Sequence, residues 1–248
     1  MVSDAGATRR RDRRAAHRNT AALRALWPHS IIVNRAGRRF VNEAHNYNDM
    51  VKAFHVFDPR AYTFANLPAY LIFDYRHLEK YGFLTRRADQ PTPGWLASAD
   101  TLEQLAGRIG IDAAGLLSTV ETFNRHAREG CDPEFHRGES AYDRHWGDRD
   151  AEHPALGPVE TGPFYAVEVK SGAFGTKEEI VTDGDGRALD AFDEAIDGLF
   201  AVGNTTAHPM GPGYPGAGGT LGPGCTCGQA ALARGGDEIA AVAGGTTA

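Results

Sequence analysis

The sequence predicts a mixed α+β chain built from strand pairs rather than from a repeated strand–helix–strand unit. Three observations carry this. Apolar runs flank turn residues at two places, two helical stretches open on capping residues, and no internal repeat is visible. The 248 residues are 42% hydrophobic and 23% charged, which is ordinary globular composition.

Each element follows from its residues. "SIIVN-RAG-RRFVNEA" predicts a β-hairpin, with an apolar run from Ile31 to Val33 and a turn at Arg35-Ala36-Gly37. "YLIFD", from Tyr70 to Asp74, is a short strand after Pro68. "ADTLEQLAGRIG" opens with Asp100 and has Glu103 three residues later, a capping-box spacing. The next helix starts at Asp112 as its N-cap and stops at Gly130. Leu116, Val120, Phe123 and Ala127 fall on one stripe of it, so it packs an apolar face.

Residues 131–162 are rich in loops and charge. "FYAVEVKSG" resumes β alternation, with Tyr165, Val167 and Val169 on one side. "EEIVTDGDGRALDAF" predicts a hairpin around Asp183-Gly184-Asp185-Gly186. A calcium loop would need an oxygen ligand where Arg187 stands, so a β-turn is the better reading. "GLFAVGN", Gly198 to Asn204, is a buried-type strand that leads into a glycine-rich loop. A final helix, beginning near Thr220 to Pro223, carries "QAALARG".

Bulk properties exclude several classes. The formal charge is −6, which favours neither nucleic acid nor an anionic membrane. "RRRDRRAAHR", Arg9 to Arg18, is the exception: a disordered, solvated basic leader over residues 1–27 is the favoured reading, with a nucleic-acid arm or a transit peptide as alternatives. Three cysteines, Cys131, Cys225 and Cys227, are too few for a disulfide scaffold and suit a cytoplasmic location. No stretch of eighteen apolar residues occurs, so no transmembrane segment is expected.

The glycine loop "MGPGYPGAGGTLGPGCTCG" contains G-x-G-x-x-G at Gly211, Gly213 and Gly216. It is not read as a dinucleotide turn. Pro212 and Pro215 remove amide donors, Tyr214 sits inside the turn, and too little chain follows the helix for a second strand. Gly218 and Gly219 instead present bare amides just before a helix, where negative charge is stabilised. A tight strand-to-helix crossing is the alternative use of these glycines. Cys225 and Cys227 point to different faces of a helix and cannot chelate together, and no metal site is expected. His208 stands out among ten scattered histidines because it enters the loop.

Five stretches in this order then carry a family resemblance: "SIIVNRAGRRFVNEAHNYNDM", "RGESAYDRHWGD", "GPFYAVEV", "GTKEEIVTDGDGRALD" and "GLFAVGNTTAHPMGPGYPGAGGTLGPG". Together they resemble the C-terminal portion of flavoproteins of the fumarate reductase/succinate dehydrogenase superfamily, most of all its 3-ketosteroid dehydrogenase branch. The resemblance spans Pro28 to about Gly236.

That resemblance implies a substrate domain over 28–174 and, over 175–248, the C-terminal return segment of a Rossmann-like FAD domain. The family's N-terminal FAD domain has no counterpart here, which implies a C-terminal fragment, a truncated paralogue or half of a split enzyme. FAD is the implied cofactor, with an N-terminal FAD-domain chain in trans as the implied partner. Tyr214 and Gly218 match the pair that holds the substrate ketone oxygen, and Tyr47 matches the base. Gly203, Asn204, Gly219, Thr220 and Leu221 match the FAD-contacting segment.

The implied reaction removes two hydrogens beside a ketone. It needs donors for the enolate oxygen, a base for the α proton and flavin for the hydride. Tyr47 would need its pKa lowered by about three units from about 10 to serve as base. Between Arg187 and Arg234 no lysine or arginine occurs, so a small apolar ketone, a steroid among the candidates, fits better than a dicarboxylate. Arg35 or Arg38 could supply a cation from elsewhere. A non-catalytic remnant, a partner-binding half of a split enzyme and a fumarate reductase-like enoate reductase remain open as alternatives.

Overall fold

The computed structural model describes residues 25–84, 89–172, 175, 180–207 and 209–244. The chain divides into two compact units, Met1–Gly172 and Ala173–Ala248. His208 and most of the basic leader lie outside the described residues. Ala25 and Trp27 do not, and their carbonyls accept hydrogen bonds from Arg137 Nη2 at 3.0 Å each.

The first unit is organised by a four-stranded antiparallel sheet. Its strands are β1 (Ser30–Asn34), β4 (Ala69–Phe73), β6 (Phe164–Val169) and β5 (Ala97–Ala99), in that spatial order. A small ribbon, β2 (Phe57–Asp58) with β3 (Thr63–Phe64), lies between β1 and β4 in sequence. Ile32 pairs with Leu71, and Leu71 with Val167, so register carries one apolar row across three strands.

Period-two alternation then divides the core between the two faces of the sheet. Ile31, Val33, Ile72, Phe164 and Ala166 pack one face against α3 (Leu102–Ile109) and α4 (Ala113–Arg128). Ile32, Leu71, Phe73, Tyr165 and Val167 pack the other, which is covered by residues of α1 (Tyr47–Met50), the 3₁₀ turn Val51–His55 and α2 (Tyr75–Tyr81). The alternation of Tyr165, Val167 and Val169 is as the sequence predicts. Burial on both faces explains why β1 and β4 read as continuous apolar runs.

The stripe on α4 is also observed, with Leu116, Val120, Phe123 and Ala127 all buried and Asp112 capping through its side chain to the Ala114 N–H. Two expectations shift. The cap of α3 is Thr101 rather than Asp100, and its hydroxyl accepts from the Gln104 N–H. The loop after α4 contains a short helix, α5 (Ala141–Trp146), capped by Ser140.

The first expected hairpin closes its turn but forms no return strand. Asn34 and Arg38 are joined by an N–H···O bond of 3.0 Å, and Gly37 takes φ +68°. Beyond that turn only Val33 and Arg39 form a bridge. The reason is chemical: the Ile32 N–H donates to Glu43 Oε1 at 3.0 Å, so a carboxylate takes the place of a ladder partner.

The second unit contains the expected turn at Asp183–Gly186. Asp183 Oδ1 accepts from the Asp185 and Arg187 N–H groups, which makes it a turn residue rather than a calcium ligand. β7 (Arg187–Leu189) pairs antiparallel with β8 (Ala195–Phe200). The buried-type strand expected at Gly198–Asn204 is corrected by this. β8 starts earlier, stops at Phe200, and is largely exposed, with Ile196 41% and Leu199 44% accessible. A 3₁₀ turn, Gly203–Thr205, follows, and the last described element is the long helix α6 (Leu221–Gly244). Among the described residues no helix is long and apolar enough to cross a membrane, and the three cysteines are free.

Candidate active site

The glycine loop is shaped by two tight turns on either side of Tyr214. Gly213 N–H donates to the Met210 carbonyl at 3.3 Å, and Gly219 N–H to the Gly216 carbonyl at 3.0 Å. Gly211, Gly216 and Gly218 take φ of +53°, +112° and +92°, which L side chains rarely adopt. Tyr214 is half-buried between these turns. β8 pairs antiparallel with β7, so the loop does not open a parallel dinucleotide-binding unit.

Helix α6 starts immediately after the second turn. Its first carbonyl acceptors are supplied by Gly218, which receives the Gly222 N–H at 2.8 Å, and Thr220, which receives the Gly224 N–H at 3.3 Å. The N–H groups of Gly218, Thr220 and Leu221 have no acceptor among the described residues. A Cβ at Gly218 would meet nothing within 4 Å, so that position is open. Open amides at the positive end of a helix suit an anionic or electron-rich group, whether a developing enolate oxygen or the edge of a flavin.

Gly203 and Asn204 lie in the 3₁₀ turn beside this helix. Gly203 takes φ +70°, and a Cβ on it would stand 3.6 Å from Gly224 Cα. The paired glycines bring turn and helix backbones together. Gly224 is a positioning residue that the sequence reading missed. Its signal was a glycine in the first turns of a helix, where a helix former is the default. The loop thus carries Tyr214, Gly218, Gly219, Thr220 and Leu221 in one run, and the 3₁₀ turn of Gly203 and Asn204 meets the following helix at Gly224. The open amides of Gly218, Thr220 and Leu221 have the donor chemistry that an electron-rich flavin edge requires.

Tyr47 belongs to the first unit. It is the first residue of α1, whose cap is Asn46. The Asn46 side chain accepts from the Asn48 and Asp49 N–H groups at 2.9 and 3.2 Å, and its amide donates to Asp49 Oδ2 at 2.8 Å. Met50 and Phe54 anchor the following turn in the core. Tyr47 is therefore half-buried on a fixed backbone.

Arg187 forms an ion pair with Asp183 at 2.6 Å, and Arg35 and Arg38 are exposed residues of the first unit.

Three comparisons bear on this arrangement. The family described as "FAD binding domain" matches residues 11–221. A 4-oxocyclohexanecarboxylate 2-dehydrogenase of Sinomonas cyclohexanicum is 52% identical over 206 residues, covering 82% of this chain and 36% of that protein. A 3-oxosteroid 1-dehydrogenase of Mycolicibacterium smegmatis is 45% identical over 216 residues, covering 82% of this chain and 37% of that protein. Among solved structures, the 3-ketosteroid delta1-dehydrogenase of Sterolibacterium denitrificans, in complex with 1,4-androstadiene-3,17-dione, superposes with a TM-score of 0.80. It is 39% identical and covers 88% of this chain and 40% of that one. The chain therefore spans well under half the length of these relatives.

Proposed function

We propose, from the premise that the chain belongs to the FAD binding domain family of flavoproteins, that it carries the ketone-binding residues of a dehydrogenase acting on the C–C bond next to a cyclic ketone. The resemblance to the ketosteroid dehydrogenase branch holds, and FAD is the cofactor of that family. The supporting observation is the uncommitted Gly218 amide at the start of α6, four residues after Tyr214.

In this reading, residues 28–174 are the substrate domain and 175–248 the C-terminal part of the FAD domain. Gly203, Asn204, Gly219, Thr220 and Leu221 hold the flavin. FAD, when bound, supplies the acceptor for the hydride leaving the β carbon. The Tyr214 hydroxyl and the Gly218 N–H donate to the ketone oxygen and stabilise it as negative charge develops. Tyr47 takes the α proton. Each role is carried over from the resemblance, and the open amides give the oxygen-binding role its physical basis.

The substrate class is a neutral cyclic ketone of the 3-ketosteroid kind. Residues 188–233 contain no lysine or arginine to fix a carboxylate. The 52% identity to a dehydrogenase named for 4-oxocyclohexanecarboxylate favours a second reading, a keto acid. The test supplies the chain with FAD and, in trans, the FAD-domain segment that its longer relatives carry. Flavin bleaching by a 3-ketosteroid but not by 4-oxocyclohexanecarboxylate is expected. The reverse pattern establishes the keto acid, and bleaching by neither overturns the proposal.

A further inference from the structure

A second set of ligand-type atoms meets where α4 ends. The last turns of that helix carry His126, and the chain then reverses through Glu129 and Gly130 to Cys131. The N–H groups of Glu129 and Cys131 both donate to the His126 carbonyl, at 3.0 and 3.1 Å, and Gly130 takes φ +72°. The reversal brings His126 Nδ1, a Glu129 carboxylate oxygen and Cys131 Sγ within 4.8 Å of one another.

None of these atoms satisfies another well. His126 Nδ1 is buried and has no hydrogen-bond partner, standing 3.8 Å from Glu129 Oε2. Cys131 Sγ is 3.9 Å from Glu129 Oε2 and 3.7 Å from the His126 carbonyl. A buried ring nitrogen without a partner calls for an explanation. In a tetrahedral Zn²⁺ site, bonds of about 2.0–2.3 Å set ligand–ligand separations of about 3.3–3.6 Å. The two separations to Glu129 Oε2, 3.8 and 3.9 Å, lie a few tenths of an ångström outside that range, and the His126–Cys131 pair, within 4.8 Å, closes by rotation of the two side chains.

We propose that His126, Glu129 and Cys131 bind a borderline divalent cation of the Zn²⁺ type at the C-terminus of α4. Nitrogen, oxygen and sulfur donors in one set select such an ion over Mg²⁺ or Ca²⁺, which take oxygen ligands. Thiolate and carboxylate together neutralise the ion's two charges while imidazole stays neutral. The carbonyl end of the helix also favours a cation. The fourth position is left to water. His153 packs its ring on Gly130, where a Cβ would lie 2.4 Å from its Cε1.

A nucleophilic role for the cysteine is disfavoured by its surroundings. Loss of hydration and the carboxylates of Glu129 and Asp132 push the Cys131 thiol up, the opposite of activation. Metal binding releases that thiol proton to solvent. The site has a structural consequence too. Cys131 immediately precedes Asp132, which holds the buried Arg39, so the ion would fasten the loop that carries this ion pair. The histidine spacing gave no sign of the site, because one ligand lies beyond the helix end.

The test uses the full 248-residue chain, reduced with a phosphine, and Co²⁺ as the probe. One equivalent of Co²⁺ is expected to give thiolate charge-transfer absorption in the near ultraviolet and the intense visible bands of a four-coordinate ion. Zn²⁺ should displace it, whereas Mg²⁺ should not. The Cys225→Ser/Cys227→Ser double variant should keep the spectrum. Cys131→Ser should lose the thiolate band, and His126→Gln should weaken binding at least tenfold. Zn²⁺ should raise the melting temperature of the wild type and not that of Cys131→Ser. Absence of a thiolate band, its persistence in Cys131→Ser, or its loss in the Cys225/Cys227 variant overturns the proposal. If Cys131→Ser does not fold, the His126→Gln titration decides.

Discussion

Arg137 and Glu43, 94 residues apart in sequence, form a hydrogen-bonded ion pair of 3.0 Å in which neither side chain is exposed to solvent. Arg39 joins them, donating to both oxygens of Glu43 at 2.9 and 2.8 Å and to both oxygens of Asp132 at 2.9 and 2.7 Å. Two guanidinium groups thus balance two carboxylates. Arg137 also ties Ser30, Ala25 and Trp27 through their carbonyls. One buried cluster fastens β1, the segment after it and the loop after α4.

Removing one member leaves charge uncompensated in the core. Glu43→Gln is expected to destabilise the first unit by about 3–5 kcal/mol. Denaturant midpoints check this, and a loss below 1 kcal/mol (about the worth of an exposed pair) would show that the cluster is not acting as a buried network.

The same cluster sets an acid limb. Burial alone would push the Glu43 and Asp132 carboxyls up, but Arg39 and Arg137 outweigh it and hold both below their ordinary values. A depressed folded-state pKa contributes stability that is complete above the unfolded values of about 3.9–4.3 and is lost as pH falls through the folded ones. Urea midpoints should therefore be insensitive to these groups above about pH 5 and fall steeply below about pH 4. Glu43→Gln and Asp132→Asn should each flatten that fall.

The turn after β1 docks on the start of α4 through two glycines. A Cβ on Gly37 would stand 2.3 Å from the Leu116 nitrogen, and one on Gly115 would stand 2.1 Å from the Ala36 carbonyl oxygen. Gly37→Ala and Gly115→Ala are each expected to cost about 1–3 kcal/mol by overpacking. Gly107→Ala is the control. It lies on the exposed face of α3 with nothing within 4 Å, and it should gain about 0.5–1 kcal/mol. Equal effects at all three positions would refute the close approach.

In the protein reconstituted with FAD and a family FAD domain, Tyr214→Phe keeps the ring and removes one of two donors to the ketone oxygen. Turnover of a 3-ketosteroid should fall by about 10²–10³. Tyr47→Phe should abolish exchange of the α proton with deuterated water as well as flavin reduction. Both variants should keep their flavin spectrum. Near-normal flavin reduction by Tyr214→Phe would falsify the role assigned to this tyrosine.

The second unit leaves apolar side chains in water. Ile196 and Leu199 on β8 are 41% and 44% exposed, and Leu221 and Leu232 on α6 are 74% and 80% exposed. The 248-residue chain is expected to bind an apolar-surface dye and to self-associate. Leu199→Glu combined with Leu232→Glu should reduce both. A monodisperse monomer in sedimentation with no dye binding would contradict this expectation.

What the sequence by itself determined was local. The stripe on α4, its Asp112 cap, the alternation of β6 and the turn at Asp183–Gly186 depend on spacings within a few residues, and the chain reads them directly. The loop that carries Tyr214 and Gly218 was legible for the same reason, since glycine and proline punctuation acts on its own neighbours. The tertiary structure decided what periodicity cannot encode. The return strand after Gly37 was lost because a carboxylate eleven residues along the chain took the Ile32 N–H. Helix α5 exists because Ser140 caps it and because Asp143 is held by Asn42, 101 residues away. Gly203 meets Gly224, and Arg39 meets Asp132, only when distant segments are packed. His126, Glu129 and Cys131 are close in sequence, but their side chains converge only because the helix ends and Gly130 reverses the chain. A buried charge or a close backbone approach takes its energy from a partner that folding supplies, and no window of sequence contains that partner.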